Sequence, residues 1–430
     1  MTVATAPTAV RSLLADPAGS VLGAEPGEAE SAEAYARSGG YARAASPDRL
    51  LEAIARSGLR GRGGAGFPAA VKLRAVRDGG GVPVVVANGE EGEPGSVKDR
   101  WLLRARPHLV LDGLSRAAEI TGATRGCVYL SDPCAATRIR RALAERPPPI
   151  PVEVVETAHT YVAGEETSVV RRINGGPALP AAKPPRPYQR GVAGRPTLVA
   201  NVETLARMAL IAARPDLGDA IARTTLLTLS SRRDAPLLVE APYGARLREV
   251  AGGQGSGDAY GALMGGLFGG LVGSGALALR LDPGALAAAG TSLGCGAIHF
   301  LVPGGCPVAV ARDAADRLAA ESARQCGVCV SGTAAIRDTL RRLATGSAGP
   351  DAAERLERWA AGLPGRGACG LLDAAAGTAG SLLRAFPDAV RDHLATVCPV
   401  CARCPASGGR RLAVHVPDVA GIRPEPDPAR

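Results

Sequence analysis

The chain has 430 residues, enough for two to four domains with sizeable cores, and 46% of them are hydrophobic but only 3% aromatic. Its formal charge of +9 rests on 50 basic residues, of which only Lys72, Lys98 and Lys183 are lysines. The arginines are scattered among acidic neighbours and there are few rings to stack on bases, so nucleic-acid binding is not expected.

Residues 1–45 are rich in Ala, Gly and Pro and read as a variable tail or loose first layer. The N-terminus lacks a basic start followed by an apolar run, so no secretory signal is expected. From residue 46 to 218 the pattern alternates between helix and strand. Ser46-Pro-Asp before LLEAIA is a capped helix start. A glycine loop, Gly58–Gly66, leads into a helix that runs through Arg77. Val82–Ala87 is a short apolar run, as in a buried parallel strand. His108–Gly122 reads as a helix, CVYLS as a strand, Ala135–Glu145 as a helix and VEVVE as a strand, together an α/β layer. Residues 219–310 form a smaller, mostly β unit.

Within that unit, Ala259–Leu279 carries no charge and is long enough to span a bilayer. Its seven glycines would each cost a helix about 0.8–1.0 kcal/mol relative to Ala. It also lacks an aromatic belt and basic flanks, and a buried Gly-rich loop is expected instead. Residues 311–397 read as a helical bundle. The last segment, 398–430, is a cysteine-containing tail expected to be mobile from Pro405 onward.

The ten cysteines divide in two. Cys127, Cys134, Cys295 and Cys306 are isolated and read as small buried hydrophobes. The others fall as Cys326-x2-Cys329, Cys369 and Cys398-x2-Cys401-x2-Cys404, spacing that suits a metal or iron–sulfur cluster rather than disulfides. The cytoplasm is the expected compartment.

Five stretches carry the chemistry. Gly61-x-Gly63-x-x-Gly66 matches the dinucleotide fingerprint in letters, yet a helix precedes it where that turn needs a strand. Glycines there still let backbone N–H groups close on a phosphate or a ring. Asn88-Gly-Glu90-Glu91-Gly-Glu93-Pro follows a strand, where open sheets bind ligands. Tyr161-Val-Ala-Gly164-Glu165-Glu166-Thr167 follows another. Lys183-Pro-Pro-Arg186-Pro and Arg195-Pro-Thr-Leu-Val-Ala200-Asn201-Val-Glu203-Thr204 complete the series.

In this order the stretches resemble the NADH-oxidising flavoprotein subunit of respiratory complex I and the diaphorase subunits of NAD-linked hydrogenases and formate dehydrogenases. The family patterns are RGRGGAGFP, NADESEPG, GEET, KPPFP and VNNVET, and the resemblance runs over about residues 50–390. It implies an α/β chain with a Rossmann-like FMN domain, a β-grasp domain and a C-terminal helical bundle. It places Gly61, Gly63, Gly64, Gly66 and Phe67 against FMN and nicotinamide. Asn88, Glu90, Glu91, Tyr161, Gly164, Glu165, Asn201 and Thr204 would hold the flavin. Lys72 and Glu93 would serve catalysis, with Glu166 and Lys183 close to the nucleotide. The implied reaction passes a hydride from NADH or NADPH to FMN and single electrons to a [4Fe–4S] cluster. The acceptor would be a ferredoxin-like protein or a membrane redox partner, with no membrane span in this chain and a cytoplasmic or peripheral location.

The chain departs from the family in four places. Arg186 replaces the adenine-stacking Phe of KPPFP, and Leu73 and Ala75 stand where the family has aromatics after Lys72. Glu90, Gly92 and Ala200 differ from the family's Asp, Ser and first Asn. Ala323 occupies the first cluster-cysteine position, leaving Cys326, Cys329 and Cys369 with the fourth ligand unassigned; the tail cysteines are candidates for it, or for a zinc or second cluster of their own. The alternative function is an electron-transfer module whose nucleotide cleft is vestigial. A flavin-free scaffold or metal-binding protein is a third reading, which the glycine and acidic loops oppose.

Overall fold

The computed structural model describes residues 8–420 apart from 24–25, 43–45 and 253–255. Parts of the expected N-terminal segment, and residues 421–430 of the expected tail, therefore lie outside the described residues.

The first strand, β1 (Ala9–Ser12), belongs to the segment expected to be loose. Next come β2 (Val84–Asn88), β3 (Arg125–Leu130), β4 (Val152–Glu156) and β5 (Thr197–Asn201), which form one sheet in the order β4-β3-β2-β5. Every pairing in it is parallel. The continuous apolar runs follow from burial on both faces. Along β2, Val85 and Ala87 join the main core, while Val84 and Val86 join a smaller cluster with Tyr129, Val169 and Val192.

The second sheet contains β6 (Thr224–Ser231), β7 (Leu237–Pro242), β8 (Gly261–Leu263), β9 (Leu271–Val272) and β10 (Ala297–Leu301). Its order is β1-β7-β6-β10-β8-β9, with β10 parallel to β6 at its centre. β1 adds to its edge, parallel to β7. Val21 and Leu22 are also fully buried, and Tyr35 donates to Asp112 at 2.8 Å. The described part of residues 1–45 is thus a packed layer, which corrects the loose reading. Short aliphatic stretches supply it, too few to show a period.

The uncharged run 259–279 folds as the β8–β9 hairpin and its turns, as expected of a Gly-rich buried loop. No helix among the described residues is long and apolar enough to cross a membrane.

Beyond β10 the chain is helical, with Pro307–Ala320, Gly327–Ala344, Ala352–Gly362, Leu371–Ala385 and Pro387–Ala395 as its main helices. They share a core that includes Val308, Leu318, Ile336, Leu340, Leu356 and Leu382. The architecture is mixed α/β with a Rossmann-like sheet and a C-terminal helical region.

The mobile-tail expectation also fails over residues 405–420. Leu412, Val414 and Val419 are buried, Arg411 pairs with Asp313 at 2.9 Å, and the Val414 N–H donates to the Pro94 carbonyl at 2.9 Å. A few aliphatic residues among Pro and Arg suffice to anchor the segment across the acidic loop.

Candidate active site

In the order β4-β3-β2-β5, the chain winds outward from β2 on one side and returns on the other as β5. The carboxyl ends of β2 and β5 therefore flank the switch point at which open α/β sheets bind ligands. Asn88 and Asn201 are register partners at those ends. Both side chains brace loops. Asn88 donates to the Gly164 carbonyl at 2.9 Å and accepts from the Glu90 N–H at 3.2 Å. Asn201 caps the helix Val202–Ala213 through the Glu203 N–H and donates to Asp99 at 2.6 Å.

The acidic loop after β2 divides its carboxylates among three tasks. Glu90 is buried, and neither carboxylate oxygen accepts a hydrogen bond. His159 Nδ1 lies 3.2 Å away, near enough for charge attraction but not aligned as a donor. A buried acceptor left without a donor is costly, so Glu90 suits a ligand carrying hydroxyl or ring N–H groups. Glu91 is occupied by the scaffold: it accepts from Ser96 Oγ at 2.6 Å and from the Asp99 and Arg100 N–H groups at 3.1 Å. It thereby caps the helix Lys98–Ala105 instead of facing the crevice. Glu93 reaches the second sheet, accepting from the Leu267 N–H at 2.9 Å. Burial pushes its carboxyl up to about 7 against the N–H groups of Leu267 and Gly95, which favour the charge. Gly92 is required by close approach, because a Cβ there would stand 2.4 Å from the Thr160 carbonyl oxygen.

The glycine loop sits between the helices Pro47–Ser57 and Ala69–Arg77, off the sheet, so the absence of a preceding strand is real. The Gly61 N–H donates to the Phe67 carbonyl at 2.8 Å and closes the loop. Gly64 and Gly66 have φ of 108° and 59°, which side chains rarely adopt. Beyond their immediate chain neighbours, the nearest protein atom to each added Cβ lies 3.9 Å away. Gly63 and Gly64 are exposed, and Gly63 lies over Asn201, with 3.4 Å between its added Cβ and that of Asn201. Internal packing therefore leaves this glycine surface open to a ligand. Phe67 is half exposed beside it.

Sequence reasoning missed what tethers the loop. The Arg62 N–H donates to Thr204 Oγ1 at 2.9 Å, and its buried guanidinium reaches Tyr243 and the carbonyls of Ala222 and Thr224. Thr204 thus anchors the loop backbone. Arg62 went unmarked because arginines are abundant everywhere else in the chain.

Two of the three lysines lie at the cleft. Lys72 Nζ is 2.8 Å from the Val199 carbonyl and 3.3 Å from Glu166, while Lys183 Nζ is 2.7 Å from Glu165 and 3.1 Å from Glu166. Burial would raise the Glu166 carboxyl, but the two ammonium groups outweigh it and hold the group below its ordinary value. Glu165 also caps the helix Glu166–Ile173. Lys98 is different. It is buried, 2.7 Å from Asp99 and 3.2 Å from Glu203, in a scaffold network that continues to Arg207.

Cys326, Cys329 and Cys369 line one small pocket together with Ala323, Arg324 and Gln325. The pocket gathers three thiols, and the Ala323 methyl cannot supply a fourth thiolate. Tyr161 links this pocket to the acidic loop. Burial, followed by the nearby Glu93, Cys295 and Cys369, raises its hydroxyl well above the ordinary tyrosine value. Glu165 is likewise a charge neighbour of Cys369. Gln325 of the pocket donates to the Pro180 carbonyl at 2.8 Å and accepts from Arg171 at 3.0 Å, so the thiol pocket abuts the helix Glu166–Ile173 that Glu165 caps.

Cys398 and Cys401 are elsewhere, gathered with Cys306 and His393 so that their four ligand atoms lie within 4.8 Å of one another. This corrects two expectations. Cys306 is not an isolated hydrophobe, and Cys398 and Cys401 do not complete the Cys326 pocket. Cys404 is not in the group.

Residues 54–210 match the family model of the Nuo51 FMN-binding domain, and residues 309–393 match that of the iron–sulfur binding region of NADH-ubiquinone oxidoreductase F. The F 2 component of the NADH-quinone oxidoreductase of Rhizobium meliloti is 32% identical over 77% of this chain and 85% of its own. The F component of the Streptomyces coelicolor enzyme of the same name is 30% identical over 84% of this chain and 88% of its own. The HndC component of the NADP-reducing hydrogenase of Solidesulfovibrio fructosivorans is 30% identical over 76% and 72%. Among solved structures, an NAD+-reducing [NiFe]-hydrogenase in the H2-reduced state matches with TM-score 0.69 and 29% identity over 81% of this chain. The chain spans 63% of the length of that hydrogenase chain.

Proposed function

The chain belongs to the family of FMN-binding, iron–sulfur subunits of NADH-quinone oxidoreductases and NAD-linked hydrogenases, and from that premise we propose that it passes electrons from a reduced nicotinamide nucleotide through FMN and a cluster to a protein acceptor. The observation that carries the reading is the adjacency of three features. These are an open glycine loop, a buried carboxylate without donors at a switch point, and a three-thiol pocket reached through Tyr161 and Glu165.

Bound FMN would supply the exchange between hydride donors and one-electron carriers. The protein's part is positioning. Backbone around Gly61, Gly63, Gly64 and Gly66 offers N–H groups and a surface without side chains. Glu90 accepts hydrogen bonds from the ligand's hydroxyl or N–H groups, while Asn88, Asn201, Gly164 and Thr204 hold the surrounding loops. Lys72 presents a compact positive charge beside β5. Glu166 balances Lys72 and Lys183, and Glu93 reaches toward the Gly-rich turn of the second sheet. We place the nucleotide along the Phe67 side of the glycine loop and Lys183-Pro-Pro-Arg186. Arg186 is exposed and lacks a phenylalanine's stacking face, but it carries the charge and geometry for a 2′-phosphate.

Cys326, Cys329 and Cys369 would hold the cluster, as a [4Fe–4S] centre with one iron lacking a thiolate ligand. The acceptor we infer is a ferredoxin-like or membrane redox protein, with this chain cytoplasmic or peripheral. We assign the flavin work to the unit 46–218 and the cluster work to the unit 311–397, with 219–310 as the β unit between them.

The test is an anaerobic preparation whose visible spectrum is followed as NADH or NADPH is added. Bleaching of a flavin band by either nucleotide supports the proposal. A flavin unmoved by both favours the second reading, a relay between proteins whose nucleotide cleft is vestigial, for which the loss of the stacking ring at Arg186 is the specific observation. A preparation without flavin overturns both.

A further inference from the structure

We propose that Cys306, His393, Cys398 and Cys401 bind one zinc ion in a structural Cys3His site that clamps the C-terminal segment to the helical region. The site is separate from the pocket of Cys326, Cys329 and Cys369, and only His393 of its four residues falls within the matched iron–sulfur region.

The geometry is that of a ligand set. Cys306 Sγ is 3.3 Å from His393 Nε2, His393 Nε2 is 3.4 Å from Cys401 Sγ, and Cys401 Sγ is 3.5 Å from Cys306 Sγ. All four ligand atoms, including Cys398 Sγ, lie within 4.8 Å of one another. A tetrahedron with Zn–S bonds of about 2.3 Å has edges of roughly 3.7 Å, so a small ion fits among them with little movement. The sulfurs are too far apart for a disulfide, whose S–S bond is about 2.05 Å, and all four residues carry free thiols or imidazole.

A second observation concerns the histidine. His393 Nδ1 lies 2.6 Å from the carbonyl of Ala389, one turn back in the same helix. A carbonyl can only accept, so Nδ1 carries the proton and the Nε2 lone pair faces the sulfurs. This outer bond is the one that orients metal-ligating histidines. Cys306, His393 and Cys401 are all at least nine-tenths buried. Three soft thiolates and one imidazole in tetrahedral array favour zinc.

The ligands come from three places. Cys306 precedes the helix Pro307–Ala320, His393 lies in Pro387–Ala395, and Cys398 and Cys401 flank the start of Pro399–Arg403. Past the site, the Cys404 carbonyl accepts from Arg312 at 3.0 Å, Ser407 and Arg411 bind Asp313, and Val414 reaches Pro94. The ion would therefore fix the origin of the segment that braces the loop bearing Glu90 and Glu93.

The test uses the untagged full-length protein, produced with zinc and iron both supplied and purified without chelators. Elemental analysis should find one zinc per chain in addition to iron. The double variant Cys398→Ser/Cys401→Ser should lose the zinc and keep its iron and acid-labile sulfide, with faster tryptic cleavage near Arg403, Arg410 and Arg411. His393→Cys, which keeps four ligands, should retain zinc and so separates loss of the site from misfolding. Absence of zinc from the parent protein would overturn the proposal. So would zinc retained by the double variant, or iron lost in place of zinc.

Discussion

Glu93→Gln changes one atom in a carboxyl group that burial pushes from 4.5 to about 7. The amide keeps an oxygen for the Leu267 N–H, now 2.9 Å from Oε2, so the bridge between the two sheets survives. Below pH 4.5 the group is protonated whether the chain is folded or not. Between pH 4.5 and about 7 the unfolded chain releases its proton while the folded one keeps it, so the native state binds more protons and stability falls as pH rises. Above about 7 both forms are ionised and the penalty is constant. A displacement of that size corresponds to about 3 kcal/mol, an upper figure because solvent reaches part of the side chain. Urea unfolding of wild type and variant, run from pH 4.5 to 8.5, should therefore show the variant gaining on wild type by up to about 3 kcal/mol across the window. Any constant offset added to that gain reflects the lost hydrogen bond to Gly95. Parallel curves throughout would refute the assignment of Glu93 as a carboxyl held protonated by burial.

Gly113→Ala tests the closest helix contact, where an added Cβ would stand 2.0 Å from the Leu205 carbonyl oxygen. The overpacking cost of about 1–3 kcal/mol exceeds the roughly 1 kcal/mol that Ala gains over Gly in a helix. The melting temperature should fall, and an unchanged or raised one contradicts the packing. Ala323→Cys supplies a fourth thiol in the three-cysteine pocket and should make cluster iron harder to remove with a chelator; an unaltered extraction rate would show that Ala323 is not at the open position. Arg186→Phe should strengthen the response to NADH about tenfold, for a stacking gain of about 1.4 kcal/mol within the usual 1–3 kcal/mol. An unchanged NADH titration removes the missing ring as the limiting defect.

Features set by local pattern were legible in the sequence. The apolar run of β2 pointed to a buried parallel strand, and a helix before Gly61 excluded the dinucleotide turn. Asn88 was found because it ends an apolar run, and Asn201 through the likeness of its stretch to VNNVET. Features set by partners distant in sequence were not legible. Glu91 looks like its neighbour Glu90, but the N-terminus of the next helix takes up its carboxylate. Lys98 stood out as a rare lysine and proved to neutralise buried Asp99 and Glu203. Cys306 and His393 are 87 residues apart, and nothing in the spacing of either pointed to the other. The segment 405–420 looked polar and Pro-rich, yet three aliphatic anchors at Leu412, Val414 and Val419 hold it.

The central claim is that nucleotide, flavin and the Cys326–Cys329–Cys369 cluster form one electron path. Its most direct test is low-temperature electron paramagnetic resonance of the anaerobic protein after NADH or NADPH, compared with the same sample after dithionite. One of the nucleotides should raise the same reduced-cluster signal as dithionite, and Cys326→Ser should weaken that signal under both reductants. A cluster that dithionite reduces while neither nucleotide does would contradict the claim.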